Sequence, residues 1–132
     1  RPVERFGLVA LQISCGTGDL QTATVRLRTQ DGEEPTCAAI GNGPIEAVFA
    51  AIEMAAGIEL DLLEYHVRSI TGGEDALGEA SVNVRGPAGT AQEHKVFHGA
   101  GADVDVLVAS AKAYLSALNR ILAAREAERV AA

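Results

Sequence analysis

The chain carries one plan twice: three short strands and then a helix, with similar punctuation in each copy. Residues 6–15 alternate apolar with small or polar side chains, placing Val9, Leu11 and Ile13 on one face. A period of two is the signature of a strand. Gly16-Thr17-Gly18-Asp19 breaks that run, and residues 20–29 alternate again, with Ala23, Val25 and Leu27 inward and Thr24, Arg26 and Arg28 outward. Asp31-Gly32 is a hairpin signal, because glycine accepts a positive φ without steric cost, and a third strand follows over 34–40. After Gly41-Asn42-Gly43, Pro44 opens a helix where its missing N–H is harmless. Ile45, Val48, Phe49, Ile52 and Ala56 recur at helical spacing, and Gly57 closes the run as a C-terminal cap.

The second copy keeps step. A strand over 58–70 leads to the break Thr71-Gly72-Gly73-Glu74-Asp75. A strand over Ala80, Val82 and Val84 turns at Pro87-Ala88-Gly89, and another runs from 92 to 98. Gly99-Ala100-Gly101-Ala102 then stands before a long helix carrying Val104, Leu107, Val108, Ala111, Leu115, Leu118 and Leu122. The expected fold is α+β: two tandem βββα units, about 6–57 and 58–124, forming a single domain over 1–132. One three-stranded sheet with one helix is marginal alone, so the units are expected to pack together. Residues 58–63 are apolar at both parities, which predicts a strand covered on both faces by the other half or by a second subunit. The alanines at 109, 111, 113 and 117 let another element approach the last helix closely. Residues 125–132, charged and Ala-rich, are expected to fray.

Composition removes several classes of function. The net charge is −7, and Lys and Arg are not clustered, so the footprint for nucleic acid is missing. No apolar run approaches the ~18–20 residues of a membrane span, and the N-terminus lacks a basic-then-apolar signal pattern. Cys15 and Cys37 lie in apolar strand-like stretches without metal-ligand spacing. They read as buried, reduced thiols of a cytoplasmic protein. The chain opens at Arg1, as expected for a piece of something longer.

Few constellations point to chemistry. A helix N-terminus attracts anions, and glycines before it let backbone N–H groups face a ligand. A phosphate loop would need Lys-Ser/Thr where Pro44-Ile45 and Ala102-Asp103 stand, and a dinucleotide fingerprint would need a third glycine at Glu46 and Val104. Two readings stay open for the Gly-x-Gly sites: a carboxylate cradle, as for a free amino acid, or plain strand-to-helix turns. His94 and His98, on one predicted strand, would lie about 13 Å apart at ~3.3 Å per residue, too far for one metal. Together with His66 they read as solvated or hydrogen-bonded. No serine stands in a nucleophile elbow, and no acid/base pair is marked. No catalytic residue, metal site or cofactor is expected. Tyr65 ends an apolar run, either as a core residue or as part of an amphipathic pocket wall.

Several of these stretches, in this order, resemble one family. Gly41-Asn42-Gly43-Pro44-Ile45, Leu63-Glu64-Tyr65, Thr71 through Glu79, Gly99-Ala100-Gly101-Ala102-Asp103, Val108 through Tyr114 and Ala117-Leu118-Asn119-Arg120 are similar to the C-terminal regulatory, dimerising domain of the α-isopropylmalate synthase and citramalate synthase family. The resemblance runs from about Phe6 to Leu122. It implies a homodimeric, non-catalytic domain that binds an end-product amino acid, with leucine the usual effector of the first enzyme and isoleucine of the second. It also implies an acyltransferase barrel preceding this region. Matched by position, the effector would meet Gly41, Asn42, Gly43 and Ile45, then Leu62, Tyr65 and Ser69, with Asp75, Ala76, Ala102 and Val104 completing a place between the two halves near the dimer interface.

Such a zwitterion needs an acceptor for its ammonium. Backbone carbonyls of neighbouring strands and a carboxylate such as Asp75 both qualify. Small Ser69 and Ala76 leave room for a branched side chain. Other readings are an isoleucine sensor of the same fold, a dimerisation module without ligand, and an ACT-type sensor, whose βαββαβ order differs from three strands before each helix.

Overall fold

The computed structural model describes residues 5–18, 20–69 and 77–131. Its elements are β1 (Phe6–Cys15), β2 (Gln21–Thr29), β3 (Thr36–Gly41), α1 (Pro44–Ala56), β4 (Asp61–Ser69), β5 (Gly78–Arg85), β6 (Val96–Asp103) and α2 (Val106–Ala131). They form two antiparallel sheets, β1-β2-β3 and β4-β5-β6, and this is the α+β arrangement of two βββα copies. The chain divides into two compact units, Phe6–Glu59 and the stretch from Leu60 onward together with Arg5. The expected break at Thr71–Asp75 lies outside the described residues.

In the first unit Ala23, Val25 and Leu27 of β2 are fully buried, under Ala47, Val48, Ala51 and Ile52 of α1. The tight turn is where Asp31-Gly32 predicts it: Gly32 has φ +86°, and its N–H donates to the Thr29 carbonyl at 3.0 Å. Gly57 ends α1 at φ +73°, donating to the Glu53 carbonyl at 2.8 Å, as a left-handed cap does. One expectation changes in β1. The pairing of β1 with β2 slips between Leu8 and Ala10, so Val9 is the extra residue of a bulge. Leu8, Leu11 and Ile13 lie opposite Leu27, Val25 and Ala23 and share their face, while Val9 is exposed.

The second unit repeats this, including the bulge. The β4–β5 pairing slips between Leu62 and Glu64, setting Leu62, Tyr65, Val67 and Ser69 opposite Val84, Val82, Ala80 and Gly78. β5 and α2 form the core through Ala80, Val82, Val84, Ala109, Tyr114, Leu118 and Ile121. α2 lies mainly on β6 and β5 and meets β4 at Tyr65. Leu62 and Val67 are therefore 40% and 44% exposed, and α2 does not supply the double cover expected for residues 58–63. That stretch is strand only from Asp61.

Three further expectations change in this unit. The strand placed over 92–98 lies at Val96–Asp103, because Thr90–His94 forms a turn held by Glu93 N–H to the Thr90 carbonyl and Lys95 N–H to the Gln92 carbonyl. His94 is therefore in the turn and His98 on the strand. Second, Gly99 and Gly101 are not a corner before the helix but the middle of β6, opposite Val82 and Ala80. A Cβ on Gly99 would come within 2.1 Å of the Ala113 carbonyl oxygen, and one on Gly101 within 2.6 Å of the Ala109 carbonyl oxygen. These glycines let α2 lie directly on the strand. Third, α2 continues to Ala131 instead of fraying after Ala124. Glu128 accepts from the buried Gln92 amide at 2.8 Å and pairs with Lys95, tying the last turns to the 90–95 segment.

The cysteines also differ from expectation, for Cys15 is exposed and Cys37 half-buried. α2 is long and apolar enough by composition to cross a membrane, but more than half of that stretch is buried in the fold, as suits a core helix.

Gly99→Ala is expected to destabilise the chain by about 1–3 kcal/mol or more, since the clash is with helix backbone that cannot rotate away. Gly16→Ala, with open space around its Cβ position, should stay within about 0.5 kcal/mol of wild type. Urea unfolding midpoints of the two variants check this.

Candidate functional site

The two places where a strand turns into a helix share a plan but differ in chemistry. At the first, Gly41 ends β3 so close to α1 that a Cβ would lie 2.4 Å from the Ala47 nitrogen. Gly43 is the N-cap, in an extended conformation (φ −153°, ψ 171°) with no side-chain cap, and Pro44 follows. The first-turn N–H groups thus lack the serine, threonine or aspartate that usually accepts from them. Glu46, one turn in, folds back so that its Oε1 stands 2.6 Å from where a Gly43 Cβ would be. A carboxylate is favoured at a helix N-terminus, so an anionic ligand here would have to displace Glu46. Asn42 is exposed and Ile45 half-buried at the same corner.

The second corner is built from acids. Asp105 caps α2, accepting from the Leu107 N–H at 2.8 Å, and Asp103 accepts from the Asp105 N–H at 3.0 Å. Lys112 reaches Asp103 at 3.1 Å. The Asp105 N–H and then Lys112 hold the Asp103 carboxyl below its ordinary value of 3.8. Two carboxylates occupy the donors that a ligand carboxylate would want, so this corner does not offer the anion cradle expected of a Gly-x-Gly turn.

The residues matched to an effector fall into two sets. Gly41, Asn42, Gly43 and Ile45 belong to the first unit. Leu62, Tyr65 and Ser69 belong to the second and share the helix-side face of β4. Ala102 lies opposite Glu79, and Glu79 opposite Arg68, so Ala102 is on the other face of that sheet, at its far edge. Val104 lies between β6 and α2 and is 72% exposed. Asp75 and Ala76 lie outside the described residues.

Tyr65 is the half-buried member of β4. Its hydroxyl stands 2.6 Å from Ser110 Oγ on α2. Ser110 Oγ donates its proton to the Val106 carbonyl at 2.8 Å, so Tyr65 is the donor in the pair. Sequence reading passed over both Ser110 and Glu46. The signals were a lone hydroxyl between Ala109 and Ala111, and an acid at the third position of a helix.

Polar residues cover the helix-free face of the second sheet. Asn83 links Glu64, at 2.8 Å, to His98, at 2.9 Å. The Asn83 hydrogen bond, followed by His66, lowers the Glu64 pKa. His66 and His94 lie beside Glu64 and Glu93. Among the described residues no three His, Cys, Asp or Glu side chains gather in a way that could hold a metal. A separate open hollow of about 580 Å³ lies between Arg5, Gln92 and the last turns of α2.

Two βββα units, each with a bulge in its first strand, define a duplicated α+β module. The family model described as the LeuA allosteric (dimerisation) domain matches residues 1–122, and the chain belongs to that family. It is 49% identical to the 2-isopropylmalate synthase of Trichodesmium erythraeum over 93% of its own length, which is 22% of that protein. It is 47% identical to the enzyme of Prochlorococcus marinus over 92% of its length and 45% identical to that of Synechocystis over 98%. The chain therefore spans about a fifth of the relatives it matches.

Asp105→Ala should cost about 0.5–2 kcal/mol through loss of the cap. Asp103 is held below its ordinary pKa when folded. Its contribution is therefore present above pH 3.8 and lost as the pH falls through the folded value. Melting curves should show wild type losing stability more steeply than Asp103→Asn on acidification, with a constant gap above about pH 5.

Proposed function

We propose that this chain is the effector-sensing domain of a 2-isopropylmalate synthase, an acyltransferase of the cytoplasm, binding L-leucine and pairing with a second copy. The observation that carries the reading is its likeness, over nearly its whole length, to a segment of 2-isopropylmalate synthases, together with the family's description as allosteric and dimerising. These enzymes stand on the way to leucine, so leucine is the end product that such a domain would sense. The relatives' names favour leucine over isoleucine.

The chemistry suits a small zwitterion with an apolar tail. The uncapped start of α1, flanked by Gly41 and Gly43, offers backbone N–H groups to a carboxylate. Ile45, Leu62 and Tyr65 offer apolar surface, and Ser69 and Ala76 are small. Val104 and Ala102 complete the matched set, and Asp75 is one acceptor for the ammonium. Burying a leucine side chain contributes about 1.5–3 kcal/mol. The rest of the affinity comes from charge-assisted hydrogen bonds. Allostery then means that leucine binds one packing arrangement of the module better than another, and the preceding barrel responds to that bias.

The exposed apolar side chains on the helix-side face of β4, Leu62 and Val67, support a second copy as their cover. Light scattering is expected to give a dimer mass; a monomer at high concentration contradicts this part.

Calorimetry against leucine, isoleucine and valine tests the effector. Saturable binding of leucine at micromolar to low-millimolar concentration is expected, and flat titrations for all three would leave a structural module. Gly43→Asp gives a sharper check. The position has an extended φ that any residue adopts, and its Cβ would meet only the movable end of Glu46. Aspartate is also a good N-cap. The melting midpoint should therefore hold or rise slightly while leucine binding is lost to a negative charge at the carboxylate's place. Normal leucine binding by that variant would make the glycine corner mere architecture.

A further inference from the structure

We infer that Ser110 is a positioning residue for effector binding: it fixes the Tyr65 ring on the partly exposed inner face of β4. The inference rests on Tyr65 meeting the effector, as proposed above. α2 lies mainly over β6 and β5, and the other inward apolar side chains of β4, Leu62 and Val67, stand partly exposed. The Tyr65 hydroxyl reaches the first turns of α2 and donates to Ser110 Oγ at 2.6 Å, which helps to hold the ring inward.

Ser110 is fully buried in a helical run of alanines, Ala109, Ala111 and Ala113. Alanine there would favour the helix more, and a buried hydroxyl is costly unless bonded. Its own proton satisfies the Val106 carbonyl one turn back. That bond orients the oxygen's remaining lone pairs toward the tyrosine. Helix stability does not account for a serine at this place, whereas an acceptor for Tyr65 does. The same bond joins a wall of the effector site to the start of α2, so displacement of the ring is felt by that helix.

Leucine titrations of wild type, Tyr65→Phe, Ser110→Ala and the double variant test this, with melting midpoints measured alongside. Ser110→Ala is expected to weaken leucine binding about fivefold, the size of one neutral hydrogen bond, when Tyr65 is present. In the Tyr65→Phe background it should change nothing further. Equal losses in both backgrounds, or no loss in either, overturn the inference, because a general effect on folding would not depend on the tyrosine hydroxyl. Should Ser110→Ala fail to fold, Ser110→Cys keeps the volume, removes the strong acceptor and is read in the same way. A flat titration of wild type overturns the effector reading itself, and with it this inference; loss confined to the wrong background overturns the inference alone.

Discussion

Backbone laid on backbone holds the second unit together. α2 rests on β6 at Gly99 and Gly101, where the carbonyls of Ala113 and Ala109 occupy the volume a Cβ would fill. Alanines on the facing side of α2 complete the fit. Close packing of this kind gains dispersion along the whole contact and leaves no room for relaxation, and it fixes where the helix can lie. Seated mainly on β6 and β5, α2 meets β4 at Tyr65 but leaves Leu62 and Val67 partly exposed. α1 is seated likewise, on β3 and β2, with Gly41 at its closest approach. The partly exposed inner face of β4 thus follows from where glycine allows α2 to sit, whereas β1 keeps Leu8, Leu11 and Ile13 half-buried beside α1.

That displacement leaves apolar surface which a solitary unit cannot hide. The bulges at Val9 and Leu63 deepen the effect. Each inserts one residue, so the face that begins with Leu8 or Leu62 continues with Leu11 or Tyr65, not with the residue two along. Bulges re-aim side chains at the rims of sheets and are kept where aim matters. Both copies carry one at the matching place, which is what a duplicated structural requirement looks like.

Much of this was legible in the chain and part of it was not, for physical reasons. β2 and β5 are central strands with one face buried and one wet, so their alternation is strict and was read correctly, as were Gly32 and Gly57, whose positive φ has a sequence signal. β6 was displaced by several residues because Gly99, Ala100 and Gly101 have too little side chain to show a period, and Gly-x-Gly beside a helix reads as a turn. The bulges were invisible because their extra residues are themselves apolar. Of the two glycine corners, Gly41 and Gly43 do stand at the start of α1, where the spacing puts them. The other was assigned to glycines that serve packing, and its acids were overlooked. Tyr65 was singled out, but Ser110 lies far along the chain and only the fold brings the two together.

The unlike corners show how the two copies of a duplicated module differ in chemistry. Both helices need their first N–H groups satisfied. α2 does this with Asp105 and Asp103, which stabilises its start and closes it to anions. α1 gives up a side-chain cap at Gly43, at a cost of a few tenths of a kcal/mol against a good capping residue. In place of a cap bound to the chain it has Glu46, a carboxylate on a flexible tether. Such a group can be exchanged for another carboxylate without unfolding the turn, whereas Asp105 cannot leave without uncapping its helix. A chain of net charge −7 offers anions little long-range attraction, so under the proposed function recognition of one would depend on local donors, and of the two corners the start of α1 has the exchangeable ones.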